Sequence, residues 1–537
     1  MSKKFKKIVR QKYFYLLLIV LLSAVSLRLW RLPDLFHFTY DEEIIAFVGK
    51  RIFINHHIPL IGGVTPMHVH LAPYFYWFSA LWLGLSNLQP IGWGVVAAGI
   101  SVCTLIALFT TGQKLFNRRI GILATIFYTF SFSQNIFDRH YWGLSFNGLF
   151  GLLTILSLHE LLRGKWKYSI LLAVVFFAAF HSDPSTLILY LLVFTVMVIT
   201  RIWPQTFSVA KAQQRLIVKA GLMASAVFLV SLIPLVVFDL RHNFSNSKGI
   251  LLYLEEIQSG KQGNLPARPL ATMFFLPQVL SRALFPFGNN NLATLYSYCP
   301  QYAVGKLTAV PVPVVIVVTI LIGIALYQGG LLKAKRPSYL LLLVLFGITL
   351  FGIITYGIVF RGDLFDHYIV TLLPPFYLLI ATLIDRYWRQ RFLIFGLLLF
   401  FVSANLLPLY FAKHRFGYSD KIQAVQWIVN ESGKTDFSLD AIGDCFRYNG
   451  YRYLFFLAGK EPVKSYVDAN FTHLYDYPPA EQYPPLLFVI VNSDPSDSAT
   501  FQNEYQKYRT SASQRILIGN IEILKIDNQD LKFTGKF

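Results

Sequence analysis

Charge is scarce in this chain: Asp, Glu, Lys and Arg make up only 14% of its 537 residues, against roughly 25% in ordinary soluble domains. With 55% of the residues hydrophobic, the polar surface is too small for the whole chain to dissolve, which predicts a polytopic membrane protein. Acids are scarcer than bases, 28 against 48, for a net charge of +20. The basic excess sits in short turns between apolar runs and does not cluster on a soluble stretch, so it speaks against a nucleic-acid partner and for membrane orientation. Cysteine is nearly absent. Cys103, Cys299 and Cys445 are far apart, with no CxxC pair and no Cys/His ligand spacing, which excludes a disulfide framework and a zinc site. Phosphate-cradling glycine loops and internal repeats are also missing, so neither nucleotide binding nor a repeat architecture is indicated.

What is abundant is apolar sequence of bilayer length. Such runs fall at approximately 13–31, 91–112, 119–137, 143–162, 168–181, 185–201, 216–238, 308–331, 338–360, 367–385 and 392–412, about eleven transmembrane helices. Six Lys or Arg precede the first run, which places the N-terminus in the cytoplasm. The long series of spans that follows makes this segment a retained helix and not a cleaved signal peptide. The turns QKLFNRR, RGKWK, 201–215, KAKR and RYWRQR each carry three Lys or Arg, whereas the short turns after 137, 181, 238 and 360 carry one or none. That alternation puts the C-terminus outside. Residues 71–87 are apolar but short, and counting them as a span would invert every later basic turn. They are expected to form an external juxtamembrane helix.

Two long external loops are expected, at about 34–90 and 243–306, in a transmembrane module covering 1–412. Beyond it the composition changes: YSDKIQAVQWIVNESG has helical periodicity and FSLDAIG, LLFVIVN and RILIGNIEILKI read as short buried strands. Residues 413–537 are therefore expected to form a small C-terminal α/β extracytoplasmic domain.

With the orientation set, ionisable residues gather at the outer ends of the spans, in TYDEE, MHVH, FDRHYWG, HSDPS, FDLRHN and RGDLFDHY. Each turn alone has a bland explanation, as a helix cap, an ion pair or a tight turn. Six together mark the outer side as the working face. The suited chemistry is group transfer from a lipid-linked donor: an acid deprotonates an acceptor hydroxyl, and Arg or His in neighbouring turns neutralise the departing phosphate. A polysaccharide polymerase or ligase using diphosphate-linked donors is the alternative enzyme. A transporter is the alternative of another class, disfavoured by charges at span ends and the lack of repeated halves.

In their order, Asp41-Glu42 after a first span, LAPYFYW, FDRHYWG, HSDPS, PLVVFDLRHNFSN and DHYIVTLLPPFYLLIATLI resemble the C-type (GT-C) glycosyltransferases. The resemblance is to glycosyltransferase family 39 in particular, which comprises protein O-mannosyltransferases and aminoarabinose transferases. It covers about 410 residues and implies a GT-C-like integral membrane enzyme of the cell or plasma membrane. Such an enzyme moves a sugar from a polyprenyl-phosphate donor, with inversion, to a glycan, lipid or protein acceptor on the extracytoplasmic face. It implies Asp41 as general base, Glu42 as a second site acid and Glu43 as a bystander. For the donor it implies Arg139 first, with Arg241 in reserve because SNLQPIGWG lacks the arginine that members often carry before the second span. His140, His367 and Tyr368 complete the donor-binding set. No metal ligands and no cofactor are assigned, and a divalent metal is left open.

Overall fold

The computed structural model describes residues 3–36, 38–65, 68–207, 209–258, 269–286, 310–327, 337–359, 364–412, 417–442, 450–468, 472–476, 478–491, 499–519 and 521–527. Eight helices among them are long and apolar enough to cross a membrane, the first being α1 (Lys3–Leu29). They coincide with eight of the expected spans. The shorter apolar helices Tyr168–Ser182 and Val312–Leu326 fall on two more. The remaining one, expected at 119–137, is broken at Ser131 into Arg118–Phe130 and Phe132–Phe137. Side chains satisfy the main-chain groups freed by the break: Asn135 donates to the carbonyls of Thr129 and Ser131, and Asn405 accepts from the Phe132 N–H at 2.9 Å.

The first stretch expected to be external supplies α2 (Tyr40–Phe53) and α3 (Tyr74–Leu85). At 12 residues, α3 is too short to span a bilayer, as the charge pattern requires. The second stretch departs from expectation. The sequence leads one to expect a loop there, but after α4 (Ile233–Arg241) it contains α5 (Ser245–Gln258) and α6 (Pro269–Leu284). Residues Phe275, Leu276, Val279 and Leu280 of α6 are buried in the main core between spans. Pro277 and Arg282 interrupt its apolar run, which hides it from a hydropathy reading. Arg282 pairs with Asp366 at 2.8 Å. The turns expected at FPFGNNN and LYSYCP lie outside the described residues, apart from Phe285 and Pro286.

The C-terminal region carries α7 (Tyr418–Ser432), α8 (Tyr451–Leu457) and a five-stranded sheet. Its strands are β1 (Phe437–Ile442), β2 (Lys464–Ser465), β3 (Leu486–Val491), β4 (Gln514–Ile518) and β5 (Ile521–Asp527), ordered β2-β1-β3-β5-β4. The β2-β1-β3 part is parallel, with Leu439 opposite Phe488, and β5 runs antiparallel to β3. β1 is buried along its whole length, as expected of a strand covered on both faces. One hydrophobic core joins this sheet to α2: Phe36, Phe38, Phe47, Phe75 and Trp93 pack in the same cluster as Val425, Ile428, Phe437, Tyr453 and Phe488.

A buried ion pair ties the first span to the third. Arg28, fully enclosed within α1, donates to Asp138 at 2.7 Å, to Ser101 Oγ at 2.9 Å and to the Thr129 carbonyl at 2.9 Å. Asp138 also accepts from Ser101 and Tyr128. Removing one partner of such a pair leaves an uncompensated charge. Arg28→Met should therefore destabilise the fold by about 3–5 kcal/mol, and Arg28→Met/Asp138→Asn should recover most of the loss, as read by unfolding of the purified protein.

Candidate active site

Helix α2 begins at Thr39, whose hydroxyl and main-chain N–H both donate to Glu42 Oε2, at 2.8 and 2.9 Å. This capping box fixes the first turn and with it the three acids. Successive helical residues differ by about 100° in direction, so Asp41, Glu42 and Glu43 point to three different neighbours.

Glu42 is fully buried and pairs with His140. Burial alone raises its pKa, but the imidazole and the two Thr39 donors outweigh it and hold the carboxyl below its ordinary 4.5. His140 stacks on Trp142 with ring centroids 4.1 Å apart, and Trp142 meets the ring of His367 edge to face at 5.0 Å. His367 in turn stacks on Phe365 and meets Tyr368 at 4.7 Å. The sequence-distant turns TYDEE, FDRHYWG and LFDHY thus converge through Glu42, His140, His367 and Tyr368.

Glu43 is no bystander. It is fully buried and accepts a hydrogen bond of 2.8 Å from the Tyr453 N–H in the first turn of α8. Burial, only partly offset by Tyr453, Lys421 and Arg452, pushes it up to about 7.

Asp41 is half-buried on the remaining side. Its charge acts on the Tyr76 phenol, which burial already raises. The Tyr76 ring lies so close to Gly62 and Gly63 that a Cβ at either position would come within 2.1 and 2.6 Å of it, so the short GGV stretch has a packing role. Next to Asp41 on α2, the stripe Tyr40, Ile44, Val48 and Arg51 lines a cavity of about 640 Å³. The other walls come from the 57–64 loop, His70, the end of α4 with Arg241 and His242, and His473 of the C-terminal region. Two arginines and four histidines line it, and no Asp or Glu is among its lining residues.

Of the expected donor-binding residues, Arg241 lines this cavity. Arg139 sits elsewhere: buried, its guanidinium donates to the main-chain carbonyls of Asn135, Leu27 and Trp30, the last two at the C-terminal end of α1. It serves there as a helix-end cation. HSDPS is the tight turn of the bland reading, with Asp183 accepting from the Ser185 N–H at 2.8 Å. In MHVH, His68 pairs with Glu256 of α5 at 3.1 Å while His70 faces the cavity. Among the described residues no group of three or more His, Cys, Asp or Glu is arranged to hold a metal ion. Sequence reasoning missed Arg51 and His473. Arg51 looks like an ordinary basic helix end, and His473 belongs to a region with no motif that points back to the membrane.

No family model and no curated protein matches the sequence. Solved structures do. ArnT from Cupriavidus metallidurans bound to undecaprenyl phosphate superposes with a TM-score of 0.56 at 12% identity, over 96% of this chain and 98% of that one. The same protein in the apo state gives 0.56 at 12% identity, over 97% and 99%. The archaeal oligosaccharyltransferase AglB from Archaeoglobus fulgidus, in complex with an inhibitory peptide and a dolichol-phosphate, gives 0.51 at 10% identity, over 90% and 69%. ArnT and AglB are GT-C glycosyltransferases, and the chain has the GT-C fold.

Because Glu42 is held below 4.5, its carboxylate contributes stability that is present above that pH and lost as pH falls through the lower folded value. Glu42→Gln should remove this acid limb: the melting temperature of the variant should fall less steeply than that of the wild type below pH 4.5, as read by thermal scans across pH.

Proposed function

We propose that this chain is a membrane glycosyltransferase. It moves a sugar from a polyprenyl-phosphate donor to an acceptor on the extracytoplasmic face, with inversion and with Asp41 as general base. The observation that carries this reading is a half-buried acid at the start of α2, beside a cavity lined among the described residues by two arginines and four histidines, within a GT-C fold. The undecaprenyl phosphate and dolichol-phosphate held by proteins of the same fold support a lipid-phosphate partner.

The chemistry follows from the charges. Asp41 takes the proton of the acceptor hydroxyl as its oxygen attacks the anomeric carbon. The bond from that carbon to the phosphate oxygen breaks, and the phosphate leaves with one more negative charge than it had in the donor. Cations aimed at that developing charge stabilise the transition state more than the ground state. Arg241 of α4 and Arg51 of α2, both lining the cavity, take this role. His140, His367 and Tyr368 act behind them, holding Glu42 and the first turn of α2, and Arg139 secures the end of α1. The basic lining also suits a diphosphate-linked donor, as a polymerase or ligase would use.

Asp41→Asn should reduce transfer by at least about 10²-fold while leaving membrane insertion and melting temperature unchanged, since removing a positioned base forfeits about 10²–10⁴ in rate. Arg241→Ala should lower kcat/KM for the donor about 10²-fold, the scale for one transition-state donor. A panel of polyprenyl monophosphate and diphosphate sugars, presented to membranes containing the protein, identifies the donor. Near-normal activity of Asp41→Asn removes Asp41 from the mechanism, and consumption of diphosphates alone favours the polymerase or ligase.

A further inference from the structure

The first turn of α2 is gripped from the C-terminal region by contacts that the proposed reaction does not use. Lys421 of α7 is 1% exposed, and its ammonium donates to the carbonyl of Phe38, one residue before the N-cap Thr39. Gly450, at the entry to α8, has φ of 79°, and a Cβ there would lie 2.7 Å from Phe38 Cδ1 and 2.9 Å from the Phe38 carbonyl oxygen. Only glycine allows that approach. Glu43 closes the grip from the other side through the Tyr453 N–H. Around these polar contacts, Tyr418 meets Phe36 and Phe38 at 5.7 and 6.1 Å, and Tyr453 meets Phe47 at 5.4 Å. Residues 38–47, which carry Asp41, are thus held by the C-terminal region.

We propose that Lys421 and Glu43 are positioning residues for Asp41, so that the C-terminal region is an integral part of the active site. The inference rests on the glycosyltransferase reading for its activity readout and is independent of it for its structural one. Neither residue has the character of a surface ion pair. Burial brings the Lys421 ammonium down to about 7, with Glu43 and Glu42 opposing, and pushes Glu43 up to a similar value. Groups kept at such a disadvantage inside a core are tied to a specific contact, here the Phe38 carbonyl and the Tyr453 amide. A displacement of about 1 Å in a reacting group is enough to lose about 10²-fold in rate, whereas the cavity walls that do not belong to α2, the 57–64 loop, His70 and Arg241 on α4, stay in place.

The test uses the full chain purified in lipid nanodiscs, with Lys421→Met, Lys421→Arg and Glu43→Gln/Lys421→Met. Lys421→Met should lower kcat at least 10-fold with less than a twofold change in donor KM, and Lys421→Arg, which keeps a donor for the Phe38 carbonyl, should recover most of it. Amide hydrogen exchange over residues 39–45 should speed up at least 10-fold in Lys421→Met, while the span Gly92–Leu115 exchanges as in the wild type. If Lys421→Met does not fold, the double variant, which has no unpaired buried charge, is held to the same two readouts. A folded variant with wild-type kcat and wild-type exchange over 39–45 overturns the proposal, as does a loss confined to KM. If the wild type consumes no polyprenyl-linked sugar at all, the glycosyltransferase reading fails, and the exchange measurement decides the positioning role by itself.

Discussion

Glu42 and Glu43 are adjacent and both fully enclosed, and a buried carboxylate without a partner is strongly destabilising. The helical advance prevents them from sharing one. Glu42 therefore reaches His140 at the end of the third expected span, and Glu43 reaches the main chain of α8 and the field of Lys421. Each carboxylate secures one side of α2 to a different part of the molecule. With two sides taken, the third acid is left beside the cavity-lining stripe, partly open to solvent. The position of Asp41 is thus a by-product of satisfying its two neighbours.

The cations divide in the same way. Arg28, Arg139 and Arg282 are almost fully enclosed and are used up by Asp138, by the carbonyls at the end of α1 and by Asp366. They stitch spans together where an unpaired charge is least tolerable. Arg51 and Arg241 stand instead at helix ends around the cavity, where no Asp or Glu is among the described lining residues and the Arg51 guanidinium donates to a main-chain carbonyl, that of His473, at 2.9 Å. In the Asp-Arg pairing this separates structural arginines from those suited to phosphate, a distinction that sequence position alone does not make.

Much of the fold was legible because membrane physics writes it in composition. Bilayer-length apolar runs and basic turns located the spans, and the same charge alternation kept the 71–87 run, which forms the 12-residue α3, from being counted among them. Strand runs such as LLFVIVN were legible for a similar reason, since a strand buried on both faces has no polar alternation to confuse. Helix α6 was not legible, because Pro277 and Arg282 break the hydropathy signal and only the tertiary partner Asp366 makes the arginine tolerable. At the site, the charge alternation leads one to expect TYDEE, FDRHYWG and LFDHY on one side of the membrane, and the three turns converge. Which atoms meet is not legible there: Arg139, expected at the phosphate, faces carbonyls, and Glu43, expected as a bystander to the chemistry, holds α8. Those outcomes depend on side-chain direction within a turn, which spacing does not encode until the helix phase and its neighbours are known.

The shared core explains why the C-terminal sheet has to be read together with the membrane module. Phe38 lies against Gly450, Tyr418 and Tyr453 at once, and its carbonyl accepts from Lys421. A packed interior of this kind transmits small displacements without absorbing them, so a shift of α7 or α8 moves the N-cap of α2 and the acid two residues beyond it. The packing also sets where this chain tolerates substitution. Apolar spans accept many sequences of equal length and volume, whereas a close approach such as Gly450 on Phe38 accepts almost none. Substitution is therefore cheapest along the apolar spans and most restricted at the few points where the C-terminal region touches the first turn of α2.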